Sequence, residues 1–267
     1  MAQMKTPGVY IIEKNAFPNS VVEVATAIPA FIGHTQFARD GNKDLTGIPF
    51  RISSMAEFHS FFGFAPTLRF GIRPEDSESE DTTNDINVLF PDGSCQLTLP
   101  KTFYALYYNM LLFYANGGGP CYIVSVGDYE HDFKSIDFTN ALLALKKEQE
   151  PTLVVVPEAV YMEEGDCYKV QTAALMHCGN DMKNRFAILD VFNGYKDENG
   201  AVIKSFRENI GSNFLAYCAS YYPWINTSIV TEKDITFYNI EKDSLEKLEE
   251  LILNEFSKKS GVTNEAV

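Results

Sequence analysis

One carboxylate in the sequence stands where α/β enzymes commonly place a catalytic group. Asp190 directly follows the apolar residues 186–189, whose pattern predicts a buried strand. Open α/β sheets gather ligands and catalytic groups at the carboxyl ends of their strands, so Asp190 could act as an acid, a base or a ligand contact. Such a site also needs a second carboxylate, a lysine or a Gly-rich loop between strand and helix, and the sequence shows none of these. A capping or hydrogen-bonding role for Asp190 is therefore favoured.

Histidine and cysteine are the other residue types that could supply a base, a nucleophile or a metal ligand. His177 and Cys178 are adjacent, but neighbouring residues on a helix point about 100° apart and do not meet on one face. A Cys–His catalytic pair would need residues distant in the sequence. The spacing matches neither a His-Glu-x-x-His site, a Cys-x-x-Cys zinc site nor a disulfide framework, so we expect no metal or other cofactor. These residues are His34, His59, His131, His177, Cys95, Cys121, Cys167, Cys178 and Cys218.

Two further segments contain residues that often contact ligands. Residues 116–120, Asn-Gly-Gly-Gly-Pro, are rich in glycine, but a phosphate cradle needs the order strand, glycine loop, helix. Here a predicted helix precedes the glycines and a strand follows them, which is typical of a helix C-cap and a tight turn. Residues 221–224, Tyr-Tyr-Pro-Trp, could form an aromatic ligand platform. Because proline commonly follows the end of a helix, a packed helix terminus is favoured.

The elements that would position these residues alternate regularly between residues 101 and 230. Short apolar segments separated by helical patterns are typical of a parallel sheet covered on both faces by helices. We therefore expect an α/β core, a central sheet with helices on both faces (αβα), over residues 101–230. The predicted helices span residues 103–116, 137–149, 166–181 and 205–221, and the predicted strands span residues 121–126, 152–156 and 185–191.

Residues 25–100 predict a small α+β portion before this core. Residues 27–33 have the pattern of a buried strand. A helix is expected to begin after Ser54, where Glu57 would close a capping box, and to end at Gly63. The apolar face of this helix consists of Phe58, Phe61 and Phe62.

The first 24 residues predict an extended arm. Two β-branched runs there follow turn residues, which is the pattern of short strands, and neither run has an obvious partner strand nearby. An edge strand of a local sheet is the alternative interpretation. The two runs consist of Val9, Tyr10, Ile11 and Ile12, and of Val21, Val22 and Val24.

The C-terminal segment, residues 231–267, predicts an amphipathic helix over residues 243–259. Asp243 or Ser244 would be its N-cap. Its apolar face must pack against the core of this chain or against a partner, because glutamate and lysine occupy the opposite face. The residues of that apolar face are Leu245, Leu248, Leu251, Ile252 and Phe256.

Composition and charge limit the class of partner. The sequence has 22 Lys and Arg against 36 Asp and Glu, a net charge of −14. Nucleic acids and anionic membrane surfaces bind clustered positive charge, so neither is an expected partner. Residues 75–81 are an acidic run that predicts a solvated loop. No segment has the roughly 18–20 apolar residues of a membrane span, and the first residues do not resemble a secretory signal, so we expect synthesis in the cytoplasm. These features favour an assembly or interaction role over an enzyme.

Seven segments, in order along the chain, resemble contractile tail sheath proteins of bacteriophages and phage-tail-like injection systems. One of them is Thr-Ala-Ile-Pro-Ala-Phe-Ile-Gly-His-Thr at residues 26–35, and another is the helix, Gly-rich turn and strand of residues 113–126. The resemblance covers most of residues 5–225 and concerns the N-terminal and middle portion of the family. The segments are residues 5–13, 26–35, 47–63, 113–126, 152–158, 184–190 and 219–224.

The resemblance implies a structural subunit that needs no catalytic residue, nucleotide or cofactor. Sheath subunits stack as rings around an inner tube, and extended arms add strands to the sheets of neighbouring subunits by β-augmentation. Contraction of this polymer drives the tube through a target membrane. The arm maps here to residues 9–12 and 21–24. The implied partners are further copies of the chain, the inner tube protein, and baseplate and terminator proteins, without nucleic acid and without direct membrane insertion.

The implied location is the cytoplasm of the producing bacterium and then the assembled tail or injection particle. After residue 224 the sequence departs from the family, whose members usually continue into a C-terminal domain and arm. We expect either a truncated product or a short sheath-like chain completed by another protein, as in the split sheath of type VI secretion systems. Two other functions stay open. One is an α/β enzyme that uses Asp190 or His177 in a crevice above the sheet, and the other is a module that binds a small ligand or a peptide.

Overall fold

The computed structural model describes residues 27–74, 88–89, 95–98, 102–196 and 200–260, which form a mixed α/β fold. The predicted arm of residues 1–24 and the acidic run of residues 75–81 lie outside the described residues. The strands are β1 (Pro29–Gly33), β2 (Arg39–Asp40), β3 (Lys43–Asp44), β4 (Phe50–Ile52), β5 (Gly71–Pro74), β6 (Val88–Leu89), β7 (Cys95–Thr98), β8 (Cys121–Ser125), β9 (Leu153–Val155), β10 (Phe186–Asp190) and β11 (Cys218–Tyr221). The α-helices are α1 (Met55–Phe62), α2 (Leu106–Ala115), α3 (Ser135–Leu145), α4 (Glu164–Met176), α5 (Ala201–Ile210) and α6 (Leu245–Ser260).

The main sheet has six strands in the order β11-β10-β9-β1-β8-β4. β4 is antiparallel to β8, and every other pair of neighbours is parallel. The predicted strands β8, β9 and β10 are therefore confirmed as members of a parallel sheet. β1, predicted as a buried strand before the core, lies between β8 and β9, with Ala30 opposite Tyr122 on one side and Val154 on the other. Two smaller sheets pair β2 with β3 and arrange β5, β7 and β6 side by side.

The alternation of side chains along the strands creates two hydrophobic cores, one on each face of the main sheet. In β1, Ala30 and Ile32 belong to one core and Phe31 belongs to the other. The first core receives side chains from α3, α4 and α5, and the second receives side chains from α1 and α2. Each fully buried large apolar side chain stabilises the fold by roughly 1.5–3 kcal/mol relative to exposure. The expectation of helices on both faces of the sheet is confirmed.

Helix α1 begins and ends at the residues that the sequence predicts. The Oγ of Ser54 accepts a hydrogen bond from the backbone N–H of Glu57 at 3.2 Å. The Glu57 carboxylate accepts from the N–H of Ser53 at 2.7 Å, one residue earlier than in the expected capping box. Phe58 and Phe62 are fully buried. Gly63 ends the helix at φ +86°, a conformation that favours glycine.

The helix predicted over residues 205–221 is present only in its first part, and its extension beyond residue 210 is wrong. α5 ends at Ile210, and Gly211 follows it with φ +74°, which interrupts the helical path. Residues 218–221 instead form β11, which pairs in parallel with β10. The physical reason is that Gly211 ends the helix and the free edge of β10 offers backbone hydrogen-bond partners to Cys218 and its neighbours. Residues 221–224 therefore lie at and directly after the end of strand β11, and their interpretation as a packed helix terminus is also wrong.

The other predicted helices are present with shifted bounds. α2 begins at Leu106, three residues later than predicted, and α3 begins at Ser135 and ends at Leu145. α4 ends at Met176 and continues directly into a π-helical turn, His177–Met182. The helix predicted over residues 166–181 is therefore α-helical in its first part and π-helical in its last part. Along the described residues, no helix is long and apolar enough to cross a membrane.

The predicted C-terminal helix is present as α6, and the segment before it contacts the sheet that contains β5. The Oγ of Ser244 accepts a hydrogen bond from the N–H of Ile72 at 2.9 Å. Phe70 donates its N–H to the carbonyl of Asn239 at 2.7 Å, and its carbonyl accepts from the N–H of Glu241 at 2.9 Å. Leu248 and Leu251 of the predicted apolar face are half-buried, whereas Leu245, Ile252 and Phe256 are exposed.

Candidate functional site

Polar side chains line the edge of the main sheet at which the parallel strands end. His34 follows β1, Glu158 follows β9 by three residues, and Asp190 is the last residue of β10. Because these three strands are neighbours and run in parallel, their carboxyl ends share one edge. This carboxyl edge is the candidate functional site. Of the three residues, the sequence places only Asp190 at the end of a strand as a functional candidate.

Glu158 and His34 form a buried pair at this edge, with side chains 0% and 1% exposed. Glu158 Oε2 accepts hydrogen bonds from the backbone N–H of His34 at 2.9 Å and from its ring Nδ1 at 2.8 Å. Glu158 Oε1 accepts from the N–H of Leu106, the first residue of α2, at 3.2 Å. No side chain of the residue before α2 caps that helix, so the carboxylate supplies the cap from a distant part of the chain.

The surroundings of this pair are those of a structural network. The rings of Tyr104, Phe133 and Phe138 lie 5.0–5.7 Å from the imidazole of His34, measured between centroids. Each oxygen of the Glu158 carboxylate already accepts from a protein donor, as buried polar groups generally do. The pair therefore joins β1, β9 and α2, and no open face of the carboxylate is left for a substrate.

Gly33 permits this arrangement by its lack of a side chain. A Cβ at residue 33 would lie 2.9 Å from Cβ of Leu106 and 3.1 Å from the carboxyl carbon of Glu158. Sequence reasoning missed the pair because Glu158 and His34 lie 124 residues apart. The available signal is that each follows a predicted apolar strand, and two such strands, if parallel neighbours, bring the residues after them together.

Asp190 faces a groove of about 650 Å³ between the start of α2 and the segment that follows β11. Burial raises the pKa of its carboxyl group above the ordinary 3.8. The hydrogen bond at this residue is made by its backbone, since its carbonyl accepts from Nε2 of Gln171 at 2.8 Å. Asp190 lines this groove, and no described residue donates a hydrogen bond to its carboxylate.

Residues 221–224 form a wall of the same groove, which brings two sequence-predicted candidates together. Trp224 is attached to the loop after β10, because its indole N–H donates to the carbonyl of Val191 at 2.9 Å and its backbone N–H donates to the carbonyl of Gly194 at 3.0 Å. A Cβ at residue 194 would lie 2.6 Å from the indole ring. The aromatic segment is therefore a fixed surface next to Asp190.

His177 and Cys178 lie away from this edge, in the π-helical turn that precedes β10. Nη1 of Arg185 donates to Nε2 of His177 at 2.8 Å, which leaves the ring proton on Nδ1. Burial, with a smaller effect from Arg185, lowers the pKa of His177 to about 4. Burial raises the pKa of the Cys178 thiol to about 12. A reactive cysteine needs a lowered pKa, so this pair lacks the electrostatics of a nucleophile and its base.

The Gly-rich segment is a helix C-cap and turn, as its order in the sequence predicts. Asn116 follows α2, Gly117 has φ +83°, and the N–H of Gly118 donates to the carbonyl of Phe113 at 2.9 Å. β8 begins directly after the turn. In the part of the chain that the structure describes, no group of three or more His, Cys, Asp or Glu residues could hold a metal ion.

No protein-family model matches the sequence, and no curated protein sequence matches it.

Proposed function

We propose that this chain is a structural subunit of a contractile tail sheath, which polymerises around an inner tube and contracts to drive that tube through a target membrane. Its partners are further copies of itself, the inner tube protein, and baseplate and terminator proteins. It is made in the cytoplasm of the producing bacterium and becomes part of the tail or injection particle. It acts by assembly and has no catalytic residue.

One observation carries this proposal. Six of the seven segments that resemble sheath proteins, all but residues 5–13, include or overlap the six strands of the main sheet. Segments scattered over about 200 residues of sequence thus meet in one folded unit. The six segments keep their order along the chain and meet in one sheet, which supports a shared fold and, with it, the shared structural role.

The free edge of the main sheet offers a place for assembly. Among the described residues, no strand pairs with the outer edge of β11. Tyr221 at the end of that strand is 59% exposed, and Ile225 shortly after it is 79% exposed. An unpaired edge with apolar side chains readily accepts a strand from another chain. The arm of residues 1–24 is the proposed donor of such a strand, through residues 9–12 and 21–24.

Helix α6 is the second proposed contact. Ile252 and Leu253 are exposed, at 58% and 50%, on a helix otherwise rich in glutamate and lysine. In the sheath proposal these side chains pack against another subunit or a companion chain. Packing against a companion chain corresponds to a split sheath, which is built from two proteins as in type VI secretion systems.

Deletion of residues 1–24 tests the proposed role of the arm. We expect the shortened chain to keep the circular dichroism spectrum and the cooperative unfolding of the α/β core, because the described core is formed from residue 27 onward. We expect it to lose the large assemblies that the full chain forms with its tail partners, measured by analytical ultracentrifugation.

The control is a chain in which only Glu13, between the two apolar runs, is changed to Gln, which keeps both predicted strands. It should assemble like the full chain. Unfolding of the shortened chain, or assembly that is unchanged by the deletion, would show that residues 1–24 have another role.

A further inference from the structure

The groove beside Asp190 contains a negative charge and lacks a protein cation to balance it. Among the described residues that line the groove there is no lysine, arginine or histidine. No hydrogen bond from a described residue reaches the Asp190 carboxylate, in contrast to Glu158 at the same edge. A partly buried carboxylate without a partner is energetically costly, and a bound cation would offset that cost.

Aromatic rings form the wall of the groove next to this carboxylate. Phe103 lies 5.0 Å from Tyr161 and 5.6 Å from Tyr108, and Tyr161 lies 5.9 Å from Trp224, all measured between ring centroids. These contacts form one continuous wall of four rings. Tyr161 and Asp190 line the same groove. Burial, with smaller effects from the charges of Asp190 and Glu158, raises the pKa of Tyr161 to about 12.

We propose that this groove binds a small organic cation, an ammonium group that carries alkyl substituents. The positive charge lies between Asp190 and the ring faces, where cation–π attraction adds to the attraction of the carboxylate. The alkyl substituents pack against Trp224 and Tyr161. The volume of about 650 Å³ lies within the range of small-ligand sites, roughly 300–1,000 Å³.

Other ligand classes fit the groove less well. A calcium ion needs six to eight oxygen ligands, and the groove offers one carboxylate, with Asn109, Thr227 and the tyrosines as its other polar side chains. An anion would be repelled by Asp190. A neutral apolar molecule would remove water from the carboxylate without giving it a partner. The binding site does not rest on the sheath proposal, because it is tested on the unassembled chain. Tyr221 and Ile225 line the groove and also lie at the strand edge proposed to accept the arm, so assembly would compete with binding of the cation.

A titration with choline and with its neutral isostere 3,3-dimethylbutan-1-ol tests the proposal. Trp224 is the single tryptophan of the chain, so the intrinsic tryptophan fluorescence of the full-length protein reports on the groove. We expect saturable binding of choline with a dissociation constant of about 1 mM or tighter, and binding of the alcohol at least about tenfold weaker. Sodium chloride at matched ionic strength controls for screening, and isothermal titration calorimetry measures the same affinities independently.

Two pairs of variants identify the groups responsible. D190N keeps the shape of the side chain and removes the charge, and we expect it to weaken choline binding about tenfold while leaving the alcohol unchanged. D132N, which removes the charge of an exposed carboxylate on the loop before α3, should bind choline like the original chain. Y161F keeps the ring and should retain binding, whereas Y161L removes it and should weaken binding.

Equal affinities for choline and the alcohol would overturn the proposal, and so would the absence of saturable choline binding by both methods. Unchanged choline binding by a folded D190N would do the same. If circular dichroism shows that D190N is unfolded, the comparison of the two ligands on the original chain and the Tyr161 pair still decide the outcome.

Discussion

Glu158 and Asp190 are two carboxylates at one edge of one sheet, and their surroundings differ in almost every respect. Glu158 is fully buried and accepts three hydrogen bonds that join β1, β9 and α2. Asp190 is partly buried, faces a groove and accepts no hydrogen bond at its carboxylate from the described residues. A place at the carboxyl edge therefore does not by itself decide the role of an acidic residue. The donors around the carboxylate decide whether it holds the fold together or is left for a ligand.

Removing the Glu158 carboxylate should lower the free energy of unfolding more than any other change at this edge. E158A leaves the N–H groups of His34 and Leu106 buried without an acceptor and leaves the imidazole without its partner. We expect a loss of about 3–5 kcal/mol in the free energy of unfolding, measured by urea denaturation. E163A is the matched control, since Glu163 is exposed and its side chain makes no capping bond to α4. A loss below about 1 kcal/mol for E158A would contradict the structural role.

Displacing the same carboxylate without removing it should have a smaller effect. In G33A the new Cβ would lie 2.9 Å from Cβ of Leu106 and 3.1 Å from the carboxyl group of Glu158, so the pair and α2 must move. We expect a loss of about 1–3 kcal/mol, the usual cost of overpacking, in the same urea experiment. G119A is the control, because a Cβ at residue 119 meets nothing within 4 Å. Equal effects of G33A and G119A would show that the contact can relax freely.

Neutralising Asp190 should change stability in the opposite direction. Because burial raises the pKa of this carboxyl group, the folded chain holds the proton more tightly than the unfolded chain does. Its contribution to stability is therefore present below the ordinary pKa of 3.8 and lost as the pH rises through the folded value. We expect D190N to be more stable than the original chain at neutral pH by about 1 kcal/mol, with a smaller difference near pH 4. A D190N chain that is less stable at neutral pH would mean that the carboxylate has a structural partner.

The smallest effect on stability is expected outside the sheet. Ile252 is 58% exposed on α6, so I252S should change the free energy of unfolding by less than about 0.5 kcal/mol. The sheath proposal predicts that the same variant nevertheless weakens assembly, measured by sedimentation of the chain with its tail partners. L248S is the contrasting change, because Leu248 is half-buried and its loss should lower stability as well. Unchanged assembly by I252S would remove α6 from the proposed contacts.

The regular part of the fold was predictable because apolar runs of four to seven residues are a local signal. β1, β8, β9 and β10 all lie within such runs, and the helices between them follow from spacing. β11 could not be predicted in this way, since residues 218–221 are a strand only because the edge of β10 is available to them. The helical pattern predicted over residues 205–221 runs through this segment, and tertiary pairing with β10 overrides that prediction.

The candidate site was predictable only in pieces. The sequence identifies Asp190 and residues 221–224 as separate candidates, because a helix is predicted over residues 205–221. In the structure residues 218–221 form β11 beside β10, so both candidates line one groove. The Glu158–His34 pair depends on which strands are neighbours, a property of topology that the local pattern does not contain. Knowledge of the parallel order of β1 and β9 would have been enough to find it.

Negative-stain electron microscopy of the full chain, purified together with its inner tube, baseplate and terminator proteins, tests whether the chain is a sheath subunit. The sheath proposal predicts rings or tubes around the inner tube, and a second population of shorter, wider tubes after contraction is triggered. Particles no larger than a monomer or small oligomer, with all of those partners present, would contradict it.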